Sequence, residues 1–292
     1  MKRVALVSLA GVLLLSACGS DTKQAAATTA AAATTAAAAS QDPAACAKGA
    51  TITAGTLTIA TGDPTYPPYV IDDKPEAGQG FEAAVGQAVA KQLGFDTATT
   101  KWVRTAFDPA IAPGPKDFDF NIQQFTITDD RKKGVDMSEG YYTAPQAVFG
   151  LSDSPAASAK TIADLKGLKI GVAGATTSLT FVEDVIKPSA KVQVFDDNAA
   201  TKLALQSKQI DAMVSDLPTA LYITGVEIEG TSVYGQIAGS GTDQFGLVLG
   251  KDSKLTDCVN LAIAALKKSG DLDKITTQWM ADYTKAPVIA AS

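Results

Sequence analysis

The sequence predicts an α/β protein folded into two lobes, and three observations carry that expectation. Strand-like and helix-like patterns alternate along most of the chain. About 245 residues follow Cys46, too many for one small core and comfortable for two. Short polar turns stand at the ends of apolar strands, which is where parallel sheets present their ligands.

Residues 1–17 read as a signal peptide. Lys2 and Arg3 precede an apolar run from Val4 to Leu15, well short of the ~20 residues a membrane-spanning helix needs. Leu15-Ser16-Ala17-Cys18 follows, a pattern cut before a cysteine that receives lipid, and an unmodified signal with a chance cysteine is the alternative. The mature chain is expected to start at Cys18, tethered to the outside of a bacterial membrane by acyl chains. Residues 18–45, rich in alanine and threonine and lacking large apolar side chains, are expected to form a flexible linker.

The folded part is read in order. "GTLTIAT" alternates with period two and predicts a first strand, and "FEAAVGQAVAKQLG" predicts a helix stopped at Gly94. "TATTKWV" and "FDFNIQQF" predict the second and third strands. "TDDR" predicts a helix start, with Thr128 as cap and Arg131 in the first turn. "DLKGLKIGVA" holds a strand from about Leu168, followed by the small-residue turn "GATTS" and a helix. "AKVQVFD" and "IDAMVSD" predict further strands, with helices in "NAATKLALQSKQ" and "LPTALYIT". "DQFGLVLG" predicts a late strand, and "LTDCVNLAIAALKKSGDLDKITTQWMADY" two helices broken at Gly270. Mainly parallel sheets flanked by helices are the expectation.

Composition removes whole classes of function. The formal charge of −6 offers no basic surface for nucleic acid. Histidine is absent, which excludes Ser-His-Asp and Cys-His catalysis and the commonest metal ligand, so no metal or cofactor is expected. With Cys18 lipidated, Cys46 and Cys258 remain as an even pair in an oxidising compartment. They are expected to bond, and two separate buried thiols are the alternative.

Three turns carry the candidate chemistry. Arg131 offers a planar fork suited to a carboxylate, with Thr126 just upstream; an ion pair with Asp129, Asp130 or Glu139 is the competing reading. "GATTS", containing Thr177, leaves N–H groups free at a helix start unless Thr177 or Ser178 caps that helix itself. Asp216 either caps the helix that holds Pro218 or accepts a cation. Taken together, a fork, a set of N–H donors and a carboxylate complement an amino-acid zwitterion.

In these motifs the chain resembles the polar-amino-acid-binding proteins of ABC transporters, extracytoplasmic solute-binding proteins of two lobes and a two-segment hinge (the type II periplasmic-binding-protein-like fold). The resemblance rests on "TGDPTYPPYV", "GQGFEAAVGQAVAKQLGF", "FTITDDRKKGVDMSEGYYTAPQ", "IADLKGLKIGVAGATTS", "DAMVSD" and "ALKKSGDLDKITTQWM", collinear over residues 52 to 284. It implies that Arg131 clamps the ligand α-carboxylate beside Thr126, that the Thr177 N–H meets the same group, and that Asp216 takes the α-ammonium. It places Tyr66 and Phe107 around the ligand side chain and leaves Tyr69 to the core. It further implies lobe 1 over residues 46–146 and 242–292, lobe 2 over 147–241, crossings near Pro145–Phe149 and Gly239–Phe245, and closure on binding. A monomer that hands its ligand to a permease is expected.

Gln123 and Gln124 depart from the small residues the family often carries there, and would narrow the pocket or bond a ligand side chain. Asp63 suits a cationic side chain, whereas Lys101 and Arg104 suit an anionic one, so the expectation stops at a polar amino acid. The same fold hosts a periplasmic dehydratase of cyclohexadienyl carboxylates, for which Asp63 is the spare general acid. A ligand-sensing protein for a membrane receptor is a further alternative.

Overall fold

The computed structural model describes residues 42–240 and 243–290. The expected signal peptide, the lipid site Cys18 and the linker up to residue 41 lie outside the described residues. The folded part begins earlier than expected: Asp42 accepts the Ala44 N–H at 3.1 Å and caps α1 (Pro43–Ala47). Asp-Pro is a cap followed by a first helical residue that needs no N–H, so the linker ends before 45 and Cys46 is helical. A disulfide joins Cys46 to Cys258, with their Cα atoms 5.4 Å apart.

The first sheet is built on β1 (Leu57–Gly62), flanked in parallel by β2 (Thr100–Thr105) and β3 (Phe120–Asn121). β12 (Val248–Leu249) joins β3 antiparallel and carries β4 (Asp136–Met137) antiparallel at its other edge. Leu57, Ile59 and Phe120 pack on one face against Phe81, Val85 and Val89 of α2 (Phe81–Gln92) and Val259 and Ile263 of α9 (Thr256–Ser269). α10 (Asp271–Met280) completes that layer through Leu272 and Met280. On the other face Ala60 and Val248 meet Ala110 of α3 (Phe107–Ile111), Phe125 and Val135, the last directly after α4 (Arg131–Gly134).

The second sheet repeats the plan. β7 (Ile170–Ala173) lies between β8 (Gln193–Phe195) and β9 (Ala212–Asp216), all parallel. β6 (Gln146–Leu151) pairs antiparallel with β9 and with β10 (Thr231–Ile237). Successive residues of β6 and β9 face opposite cores: Val148, Ala212 and Val214 meet Ile162 and Leu165 of α5 (Ile162–Leu165), with Val182 just beyond α6 (Thr177–Phe181). Ala147, Phe149 and Met213 meet Leu205 of α7 (Asn198–Gln206) and Leu217 of α8 (Leu217–Tyr222). A strand buried on both faces reads as one apolar run rather than an alternation, which is why "QAVFGL" carries no period-two signal.

Each sheet is therefore a parallel core of three strands, as the alternation predicts, extended by antiparallel strands into a mixed sheet. β5 (Tyr142–Ala144) pairs antiparallel with β11 (Asp243–Phe245), and the chain leaves the first sheet along β5 and returns along β11. The second sheet starts at Gln146, inside the span expected of lobe 1.

A third crossing was not anticipated. Beyond α10 the chain pairs in parallel with β10 as β13 (Val288–Ile289), so the stretch 288–289 belongs to the second sheet and not to the first lobe. Gly235 makes room for it: a Cβ there would lie 2.7 Å from the Ile289 side chain and 3.0 Å from the Pro287 carbonyl oxygen.

Candidate functional site

Six parallel strands, three from each sheet, point their carboxyl ends at one another. β1 delivers Asp63 and Tyr66, β2 delivers Phe107 and Asp108, and β3 delivers Gln123, Gln124, Thr126 and Arg131. β7 leads to Thr176, Thr177 and Ser178, β8 to Asp196 and Asp197, and β9 to Asp216 and Thr219. These residues line one cleft of about 380 Å³, large enough for a small metabolite. All nine candidate residues read from the sequence stand in it.

Arg131 opens α4, and Thr128 accepts its N–H at 3.1 Å. The competing ion pairs do not form: Asp130 bonds Lys133 at 2.8 Å and Asp129 lies 3.8 Å from Lys132. Among the described residues no carboxylate is within ion-pair distance of Arg131. Its Nη1 donates to the Thr126 carbonyl at 2.7 Å and its Nη2 to the Ala175 carbonyl at 2.9 Å. The guanidinium lies 5.3 Å from the centre of the Phe107 ring, and that ring tilts against Phe125 at 4.6 Å. Burial pulls the Arg131 pKa down, opposed by Asp216, Asp243 and Asp108, and the group stays cationic.

Thr176, not Thr177 or Ser178, caps α6, accepting the Leu179 N–H at 3.2 Å. The Thr177 N–H is thereby left in a first turn that supplies it no acceptor. Asp216 occupies the cap position of α8 without bonding its amides. Its carboxylate instead accepts Nε2 of the buried Gln146 at 2.9 Å, and the same Nε2 reaches Asp243 at 3.1 Å. Gln146 is fixed in turn by Ser178, whose hydroxyl donates to Oε1 at 2.7 Å. Burial pushes the Asp216 carboxyl up to about 7, reinforced by Asp243 and opposed by Gln146 and Arg131. Sequence reasoning missed Gln146, because nothing local distinguishes one amide at the start of a strand.

The paired glutamines differ from one another. Gln123 is buried, and its Oε1 has no hydrogen-bond partner among the described residues; the Tyr66 hydroxyl is in the same condition. Burial pushes the Tyr66 phenol well up, with Asp197 adding to the effect. Gln124 is engaged from behind: its N–H donates to Glu82 Oε1 at 2.7 Å and its Nε2 donates to Glu82 Oε2.

Carboxylates dominate the wall. Asp63, Asp108 and Asp196 line the cleft and face solvent, and their carboxylates make no hydrogen bond or ion pair with the described residues. Asp197 caps α7 by accepting the Ala200 N–H at 2.7 Å. The cations that suggested an anionic ligand are elsewhere: Arg104 pairs with Asp73 at 2.8 Å, and Lys101 is exposed outside the cleft. Asp108, Asp196 and Asp197 follow strand ends, so the rule that singled out three turns reaches these as well.

The two halves touch across the cleft. The Thr126 and Thr177 hydroxyls are 3.1 Å apart, and the Thr219 hydroxyl donates to the Tyr69 hydroxyl at 3.3 Å. With the Arg131 bond to Ala175, these contacts define a closed arrangement.

Two α/β lobes facing each other across such a cleft define a solute-binding receptor. The chain belongs to the bacterial extracellular solute-binding proteins, family 3, whose model matches residues 57–282. It is 31% identical over 237 residues to the L-cystine-binding protein TcyJ of Escherichia coli, covering 79% of this chain and 85% of that one. It is similar to the structure of an ancestral arginine-binding protein bound to glutamine, at 33% identity and a TM-score of 0.66, covering 78% of this chain and 98% of that one. It is also similar, at 31% identity and a TM-score of 0.62, to an ancestral amino acid-binding protein that is a precursor of cyclohexadienyl dehydratase, covering 77% and 95% of the two chains.

Proposed function

We propose that this protein captures a cationic L-amino acid by closing its two lobes and delivers it to an ABC importer. Arg131 and the Thr177 N–H receive the α-carboxylate and Asp216 the α-ammonium, while Tyr66 and Phe107 enclose the side chain. One observation carries the charge class: among the described residues the side chains of Asp63, Asp108 and Asp196 line the cleft with no ion-pair partner, and Arg131 is the one cation on its wall, so the field there favours a cationic side chain. A lipid at Cys18 would hold the receptor near its permease, and the monomer is the working form. The relatives named above support amino-acid recognition, and one of them is an arginine-binding protein bound to glutamine.

Isothermal titration of the chain from residue 42 with single L-amino acids tests this. One-to-one binding of arginine or lysine, with glutamate silent, is the expected result. Preference for an acidic amino acid, or silence from all twenty, overturns it.

Asp216 also keeps a second reading in view, because a carboxyl titrating near 7 is suited to give a proton in a dehydration. An ammonium ligand requires the same group charged. A product assay with a cyclohexadienyl carboxylate decides between them, and no turnover is expected.

A further inference from the structure

Glu82 is wholly buried in the first turn of α2, and among the described residues no lysine or arginine pairs with it. It lies behind the cleft wall rather than in it. Its Oε1 accepts the Gln124 N–H at 2.7 Å and the Tyr141 hydroxyl, and its Oε2 accepts Nε2 of Gln124. Gln124 itself stands at φ +51°, a left-handed conformation that costs a non-glycine residue strain. One carboxylate thus holds both the backbone and the side chain of a strained residue that lines the cleft.

The consequence is chemical. When ionised, Glu82 only accepts hydrogen bonds, and the end of the Gln124 amide turned toward it is then its NH₂. The carbonyl oxygen is then the end left for a ligand, and it accepts no hydrogen bond from the described residues. Gln123 Oε1 is a second acceptor without a partner beside it. An isolated glutamine would offer either end of its amide, whereas this one is polarised from behind.

We propose that Glu82 is a positioning residue for ligand specificity: through Gln124 it presents an acceptor, and so selects side chains that donate hydrogen bonds. This rests on the amino-acid-binding reading above. It adds the chemistry by which the side chain is told from a neutral, carbonyl-ended mimic of the same length.

The test compares L-arginine with L-citrulline, which replaces one donating nitrogen of the guanidinium with a carbonyl oxygen. Calorimetry on the wild type, Glu82→Gln, Gln124→Met and the double variant gives the arginine-to-citrulline affinity ratio in each. The wild type is expected to prefer arginine, and each single variant to lower that preference at least tenfold. In the Gln124→Met background, Glu82→Gln is expected to change the ratio no further, which separates an amide-mediated role from loss of a buried charge. A merely structural role would weaken both ligands together and leave the ratio alone. A wild type that prefers citrulline, a ratio unmoved by Gln124→Met, or an equal shift from Glu82→Gln in both backgrounds overturns the proposal. If Glu82→Gln does not fold, Glu82→Asp, which keeps the charge and shortens its reach to Gln124, takes its place in both backgrounds with the same outcomes. A wild type that binds neither probe overturns the proposed function as well, whereas arginine binding with an unmoved ratio overturns only the role of Glu82.

Discussion

Arg131 concentrates the binding energy expected of this site. Its guanidinium is tied to carbonyls on both sides of the cleft and, among the described residues, has no carboxylate partner within ion-pair distance. Arg131→Ala is expected to lower ligand affinity by about 100-fold or more, since truncating one partner of a buried charge pair costs roughly 2–5 kcal/mol. Calorimetry reads that loss, and a thermal melt without ligand should show the fold intact. Asp216 and Glu82 predict a pH dependence. Both are pushed up to about 7 by burial, so the folded state keeps protons that the unfolded chain has already released. The stability they contribute is present below about pH 4 and is lost as pH rises through about 7. The ligand-free melting temperature is therefore expected to fall between about pH 5 and 8. Ammonium binding wants Asp216 charged, so affinity should rise over the same window with release of a proton, measurable by calorimetry in buffers of different ionisation enthalpy.

At the scale of elements, α1 and α9 are held by a bond that closes a sequence separation of 212 residues. Both belong to the first lobe, away from the cleft. Replacing Cys46 and Cys258 together by serine is expected to cost about 2–4 kcal/mol, or roughly 10 °C in melting temperature. Ligand affinity should be unchanged, because neither cysteine touches the site. Elements with a local signature were legible in the sequence: the alternation of β1, the glycine stop after α2, the break at Gly270. β6 and β10 were not. β6 is apolar on both faces, and β10 has a register shift between Val233 and Gly235 that interrupts its period.

At the scale of the molecule, the proposed function requires closure across the cleft. Thr126 meets Thr177 and Tyr69 meets Thr219 only when the lobes are together. Small-angle scattering is expected to show the radius of gyration falling when ligand is added, and an unchanged radius at saturation would contradict closure. The third crossing bears on the same motion. Gln236 donates from Nε2 to the Ala286 carbonyl at 3.1 Å, and β13 adds its strand to β10, so the chain's end straps α10 to the second sheet. Truncation after Tyr283 is expected to widen the ligand-free ensemble in the same scattering measurement.

The sequence by itself determined the lobes' parallel cores and the strand-end turns that carry Thr126, Arg131, Thr177 and Asp216, while the resemblance to a family added Tyr66 and Phe107 and drew attention to Gln123 and Gln124. It could do so because period, caps and strand-end turns are local properties of neighbouring residues. Only the tertiary structure decided which charges meet. Local reading left Arg131 between a ligand and an ion pair, and left Lys101 and Arg104 competing with Asp63 over the ligand's sign. Folding removed Arg104 to Asp73, kept Lys101 outside the cleft, and brought Asp108 and Asp196 to the wall beside Asp63. It also joined Glu82 to Gln124 and Gln146 to Asp216, pairs 42 and 70 residues apart. Electrostatic balance depends on distance in space and on burial, and neither is written in the order of the residues.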